Sequence, residues 1–233
     1  NGFEPDEADI CEYNNLKGRV YLCLMNYKDA LECFLVWKNA IEKIAKSDKS
    51  KESKKIIKRY EYVNFLIGDC YLRLKDYRNA RYYMDIALSK EHDEIILAYE
   101  GMCMLEFKEG NYRDCIEYCK RVIERVGRNY VAYIYQARSY YELGMFDDAL
   151  AVASNAIELY PYAAEPYVIK IKTYINLRME NKVLEVINEY RQINPDSDSM
   201  MYYEAKLKGL HGKYADAIAL LDKLLEKHNP NKT

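Results

Sequence analysis

The chain has 233 residues, half of them apolar, enough to bury a sizeable core either as one large domain or as an array of small units. Lys+Arg 35 against Asp+Glu 37 leaves a formal net charge of -2, so no excess positive charge is available to release counterions from a phosphate backbone, and nucleic acid is not an expected partner. Seven cysteines at irregular spacing do not form the framework of a small disulfide-stapled domain, and no apolar run approaches the roughly 20 residues a bilayer requires, so an intracellular protein of the cytoplasm or nucleus, with no membrane partner, is expected.

In chain order, residues 1–10 are an acidic segment. The phrase Tyr27 to Ala30, an aromatic three residues before a small residue, is the first of a series. It recurs at Tyr77/Ala80, Tyr112/Cys115, Phe146/Ala149 and Tyr214/Ala217. The small residues Cys115, Ala149, Leu184 and Ala217 fall about 34 apart, which sets units at 11–44, 61–94, 96–129, 130–163, 164–197 and 198–231. Each unit reads as two amphipathic helices of about 13 residues separated by a turn at a glycine such as Gly110, Gly144 or Gly212, and Pro161, Pro195 and Pro230 close second helices. Between the first two units lies a basic insertion, residues 45–60. Its stretch from Lys46 to Arg59 holds seven basic and two acidic residues, readable as a solvated helix or loop or as a dock for an acidic partner.

The fourth unit places Tyr133, Ala137, Tyr140, Gly144, Phe146, Ala149, Ala153, Ala156 and Pro161 in one ladder of bulky, small and aromatic slots. On these residues the chain resembles the tetratricopeptide repeat family across nearly its whole length. The resemblance implies an all-α, right-handed superhelical solenoid of six helix-turn-helix repeats, with first helices lining a concave groove. Some units depart from the pattern. The third has Glu106, and the sixth Lys208, where Tyr21, Tyr71, Tyr140 and Tyr174 stand elsewhere. The fifth has Ile171, Leu184 and Arg191 where small residues are usual and Asn181 where an aromatic is usual, so looser or shifted packing is expected there.

The same resemblance implies a protein-interaction scaffold or adaptor that holds a peptide or helix in its groove, as a subunit of a larger assembly. The groove candidates are Asn15, Arg19, Tyr62, Phe65, Asp69, Arg73, Glu100, Met104, Ile134, Arg138, Tyr141, Val168, Lys172, Tyr202 and Lys206. Two other readings stay open: a co-chaperone fragment holding unfolded polypeptide, and a regulatory segment of an enzyme whose catalytic domain is outside this chain. Chaperone-binding members of the family clamp a C-terminal carboxylate with Lys and Asn one turn apart. The corresponding pairs here are Asn15/Arg19, Phe65/Asp69, Glu100/Met104, Ile134/Arg138, Val168/Lys172 and Tyr202/Lys206, none of which is Lys followed by Asn.

No phosphate loop, nucleophile elbow or zinc-binding His pair is present, so no catalysis, cofactor or metal is expected. Cys103, Cys115 and Cys119 occupy slots that hold Ala137, Ala149 and Ala153 one unit later, and they read as small core residues. His92, His211 and His228 stand at no metal-ligand spacing. The last helix carries Ile218, Leu220, Leu221, Leu224 and Leu225, an apolar arc wider than one packing face. Either the arc is used within its own unit, or Ile218, Leu221 and Leu225 meet a continuing chain, a partner or a second copy in a homodimer.

Overall fold

A computed structural model describes residues 6–47, 50–60, 62–89 and 95–228. Pro230, His92, the opening of the acidic segment and part of the basic insertion lie outside the described residues. Thirteen α-helices and no strands are found among the described residues. The chain divides into two compact units, residues 1–125 and 126–233.

The first compact unit holds α1 (Glu7–Cys23), α2 (Tyr27–Ser47), α3 (Lys51–Tyr60), α4 (Val63–Arg73), α5 (Tyr77–Leu88), α6 (Ile95–Glu109) and α7 (Tyr112–Val126), the last helix ending at the boundary. The second holds α8 (Tyr130–Glu142), α9 (Phe146–Leu159), α10 (Ala164–Asn176), α11 (Glu180–Ile193), α12 (Asp198–Leu210) and α13 (Tyr214–His228). Apart from α3, the helices form six hairpins, whose first and second members are called A and B helices here. Residues 45–47 of the insertion finish α2, while α3 is a separate helix that packs its half-buried Ile57 on the α2/α4 core and exposes Lys51, Lys54, Lys55 and Lys58.

Helix starts follow from side chains that accept the first unpaired N–H groups: Asp6 in a capping box with Asp9, Asp76, Asn129 and Ser197. Between A and B helices one residue per repeat turns left-handed: Met25, Lys75, Gly110, Gly144, Arg178 and Gly212, with φ from 55 to 81. Each lets the chain close the same backbone bond, from the residue immediately after the left-handed one to the last A-helix turn. Asn26 N–H donates to Tyr21 at 2.9 Å, Asp76 to Tyr71 at 2.9 Å, Asn111 to Glu106 at 2.8 Å, Met145 to Tyr140 at 2.9 Å, Met179 to Tyr174 at 2.9 Å and Lys213 to Lys208 at 3.0 Å. This bond satisfies a carbonyl that the helix itself leaves open, which is why the turn recurs even where no glycine is available.

The recurring turn corrects the fifth repeat. Arg178 occupies the place of Gly144, so the B helix α11 starts at Glu180 and its small-residue slot is Val183, which is fully buried, whereas Leu184 is 42% exposed. The slots read at Asn181 and Arg191 move by one residue as well: Tyr190 is buried, and Arg191 instead makes a 2.6 Å ion pair with Glu204. The packing there is not loose. Ile171 is fully buried among Tyr167, Val183 and Ile187.

In the first compact unit the core is built on Phe34, Trp37 and Ile67, with Trp37 edge-on to Tyr62 at 5.3 Å, and continues to Met84, Met102 and Leu105. Gly18 is required on α1 because a Cβ there would come within 2.4 Å of the Phe34 ring. In the second unit Val183, Ile187 and Tyr190 of α11 lock against Met200, Tyr203 and Leu207 of α12.

Candidate ligand-binding face

Adjacent A helices lie side by side within each compact unit: α4 against α6 in the first, α8 against α10 and α10 against α12 in the second. Counted within their units, the fifth and ninth residues of these helices supply most of the candidates, and the structure sorts them.

In the first compact unit Asn15 accepts a 3.3 Å hydrogen bond from the Tyr62 hydroxyl, tying α1 to the start of α4. Phe65 and Met104 are half-buried and flank the same core. The half-buried Asp69 carboxylate accepts from Arg73 Nε at 3.3 Å, and burial pushes its pKa up despite the Arg73 charge. Arg19 is exposed and Glu100 half-buried.

In the second, Arg138 is half-buried, with its guanidinium 5.8 Å from the Tyr135 ring centroid and 3.9 Å from the Glu165 carboxylate. Lys172 is half-buried and Lys206 exposed. The Tyr141 hydroxyl accepts a 3.0 Å hydrogen bond from Asn176, and Tyr202 is 49% exposed, edge-on to Tyr203. Two candidates are corrected here. Ile134 is 5% and Val168 7% exposed, and both belong to core clusters, so neither offers surface to a ligand. At both, the fifth residue of the repeat is an aliphatic side chain that joins the core.

Arg138, Lys172 and Lys206 are each the ninth residue of their repeats and stand on three successive A helices, so the second unit carries a basic line along this face. The first unit has no such line, with Arg19, Asp69 and Met104 at the same position. Sequence reading named all three basic residues singly, and the 34-residue register is the signal that joins them.

The departing slot in the third repeat is a polar one. Glu106, 3% exposed, accepts from Arg81 at 2.6 and 2.9 Å and from Asn111 at 2.9 Å, and Arg81 also bonds Glu109. Burial acts to raise the Glu106 pKa, but these hydrogen bonds overcome it and hold the carboxyl below its ordinary 4.5. In the sixth repeat the equivalent Lys208 sits 3.4 Å from Asp216.

The thiols behave as core groups. Cys103, Cys115 and Cys119 are fully buried, Cys115 donates to the Cys103 carbonyl at 3.1 Å, and Cys119 is raised through its hydrogen bonds to neighbouring thiols and its burial. Burial also pushes Cys11 up to about 11 and Cys70 up to about 12, so both stay protonated near neutrality. No helix among the described residues is long and apolar enough to cross a membrane.

Comparison with known proteins agrees with this geometry. Residues 104–164 match the family model described as Tetratricopeptide repeat. Among solved structures, PilW, a widely conserved type IV pilus biogenesis factor, aligns at 13% identity over 96% of this chain and 95% of its own, with a TM-score of 0.72. A tetratricopeptide repeat protein from Parabacteroides merdae ATCC 43184 aligns at 15% identity over 93% of this chain and 79% of that one, with a TM-score of 0.70. YrrB, a repeat protein of the same class with an unusual peptide-binding site, aligns at 17% identity over 85% and 92%, with a TM-score of 0.60. The search of curated proteins gave no match. The chain thus has the fold of tetratricopeptide-repeat proteins, with the family's sequence signature across residues 104–164.

Proposed function

We propose that the chain is an interaction scaffold, not an enzyme, that holds an extended or helical peptide on its A-helix face as a subunit of a larger assembly. The bound segment is acidic where it crosses the second compact unit. The basic line of Arg138, Lys172 and Lys206 carries this reading, because three cations on adjacent helices favour carboxylates at matching intervals and disfavour a basic peptide. Tyr141 and Tyr202 beside them supply aromatic contact area. On the first unit Asn15, Tyr62, Phe65, Asp69, Arg73, Glu100 and Met104 present a mixed surface suited to an apolar anchor flanked by polar groups, with Arg19 at its edge. The exposed Ile218, Leu221 and Leu225 of α13 give the assembly a second docking surface, self-association included. Seven free thiols, six of them buried, fit a reducing compartment, cytoplasm or nucleus.

The test uses fluorescein-labelled decapeptides carrying two aromatic residues and either Asp and Glu or Lys and Arg at the other positions. The acidic peptide should bind at least about tenfold more tightly, a difference of about 1.4 kcal/mol. Arg138→Glu with Lys172→Glu should abolish that preference without changing the far-UV circular dichroism or the melting temperature. Equal binding of both peptides by the wild type would overturn the proposal.

A further inference from the structure

α2 packs directly on α4, so the array of hairpins continues past the basic insertion without help from α3. The insertion nonetheless forms a ten-residue helix. The Ser50 hydroxyl accepts from the Ser53 N–H at 3.1 Å and starts it. At about 100° per residue, Lys51, Lys54, Lys55 and Lys58 share an arc of about 100°, and all four are exposed. Ser53 and Ile57 lie on the opposite side, the first buried and the second half-buried against the α2/α4 core. The apolar contact anchors the helix, and the lysines are what it displays.

That display differs from the exposed charges of the hairpins. Lys38 pairs with Glu42, Lys120 with Glu117 at 2.8 Å and Lys182 with Glu185 at 2.6 Å, each one helical turn away. On α3 the neighbours at three and four residues are other lysines: Lys51 meets Lys54 and Lys55, and Lys58 meets the same two. Like charges at these spacings destabilise a helix, and Lys51 in the first turn also faces the positive end of the helix dipole. Glu52 is the one acidic residue in the sequence of α3. Lys51, Lys54 and Lys58 make no ion pair among the described residues.

We infer that the lysine face of α3 is a docking surface for an acidic polypeptide segment, a run of Asp and Glu side chains laid across the helix. Carboxylates there relieve the repulsion among the lysines, so binding and the stability of α3 rise together. The row from Lys51 to Lys58 is about 10 Å long, a distance that about three residues of extended chain span. Lysine suits such a partner, because a flexible point charge meets carboxylates at irregular spacing without the bidentate geometry of arginine. A lipid surface fits less well: α3 has turned Ile57 to the core, and its lysine arc carries no aliphatic or aromatic side chain to enter a bilayer. Nucleic acid also fits less well, since the arc offers no ring on which a base could stack and the chain has a net charge of -2. This face lies in the first compact unit and does not rest on the ligand proposed for Arg138, Lys172 and Lys206.

Fluorescence anisotropy with a labelled decapeptide of Asp and Glu alone tests the inference on the full chain. The Arg138→Glu/Lys172→Glu variant serves as the starting protein, so that binding to the second unit is removed. Adding Lys51→Glu/Lys54→Glu/Lys58→Glu should weaken peptide binding at least about tenfold. Lys51→Gln/Lys54→Gln/Lys58→Gln, which removes the charges without reversing them, should weaken it too, with far-UV circular dichroism unchanged. Raising sodium chloride from about 50 to about 300 mM should weaken binding by at least about tenfold. In amide hydrogen exchange, α3 should gain protection when the peptide is present. Binding that survives both lysine variants, or that adds no protection on α3, would overturn the inference. Tighter capture of vesicles containing about 30% phosphatidylserine, or of a single-stranded oligonucleotide, than of the peptide would overturn it as well.

Discussion

Two carboxylates on neighbouring A helices of the first compact unit meet burial differently. Asp69 on α4 has one partner, Arg73, at 3.3 Å, and burial wins, so its pKa is raised. Glu106 on α6 is nearly inaccessible but is gripped by both Arg81 nitrogens and by Asn111, and its pKa is lowered. The difference lies in the number and geometry of donors: a bidentate guanidinium plus an amide replaces the lost hydration of Glu106, while a single Nε contact does not replace that of Asp69. One slot is a structural ion pair in a position that aromatic residues fill elsewhere. The other keeps a costly charge on the proposed ligand-binding face.

The largest way to break the contrast is Arg81→Ala, which leaves Glu106 buried without its main partner. Denaturant unfolding should show a loss of about 2–4 kcal/mol, below the full range for buried pairs because Arg81 is partly exposed. A smaller loss, of about 1–2 kcal/mol, is expected for Glu106→Gln, which keeps the shape and part of the hydrogen bonding. Acid separates the two sites by sign. Glu106, lowered in the folded state, contributes stability that is complete above its ordinary pKa of 4.5 and is lost as pH falls through its folded value; in Glu106→Gln this component of the acid loss should vanish. Asp69, raised in the folded state, works the other way: protonation relieves the fold, and Asp69→Asn should be neutral or stabilising by up to about 1 kcal/mol at neutral pH. An effect of similar size comes from Lys75, the left-handed turn residue shortly after Asp69. Lys75→Gly should stabilise by about 0.5–1 kcal/mol with no pH dependence, a control for backbone strain alone.

The repeat period, the helix pairs and the turn glycines were legible in sequence because each rests on local chemistry: amphipathic spacing, small slots and residues tolerant of a left-handed turn. The B-helix slots of the fifth repeat were read one residue late where those signals fail together, with Arg178 in the turn, Glu180 starting the B helix and Val183 in the small slot. Ile134 and Val168 looked like groove residues by position, yet an aliphatic side chain there gains more from the core than from solvent. Glu106 stood out as a departure, but its partner Arg81 lies 25 residues back on another helix, a separation that no local pattern spans.

Amide hydrogen exchange with and without the acidic decapeptide tests the scaffold reading most directly. Protection should rise on α8, α10 and α12, around Arg138, Lys172 and Lys206, and leave α9 and α11 unchanged. Protection confined to the B helices, with the three A helices unaffected, would contradict the assignment of the ligand-binding face.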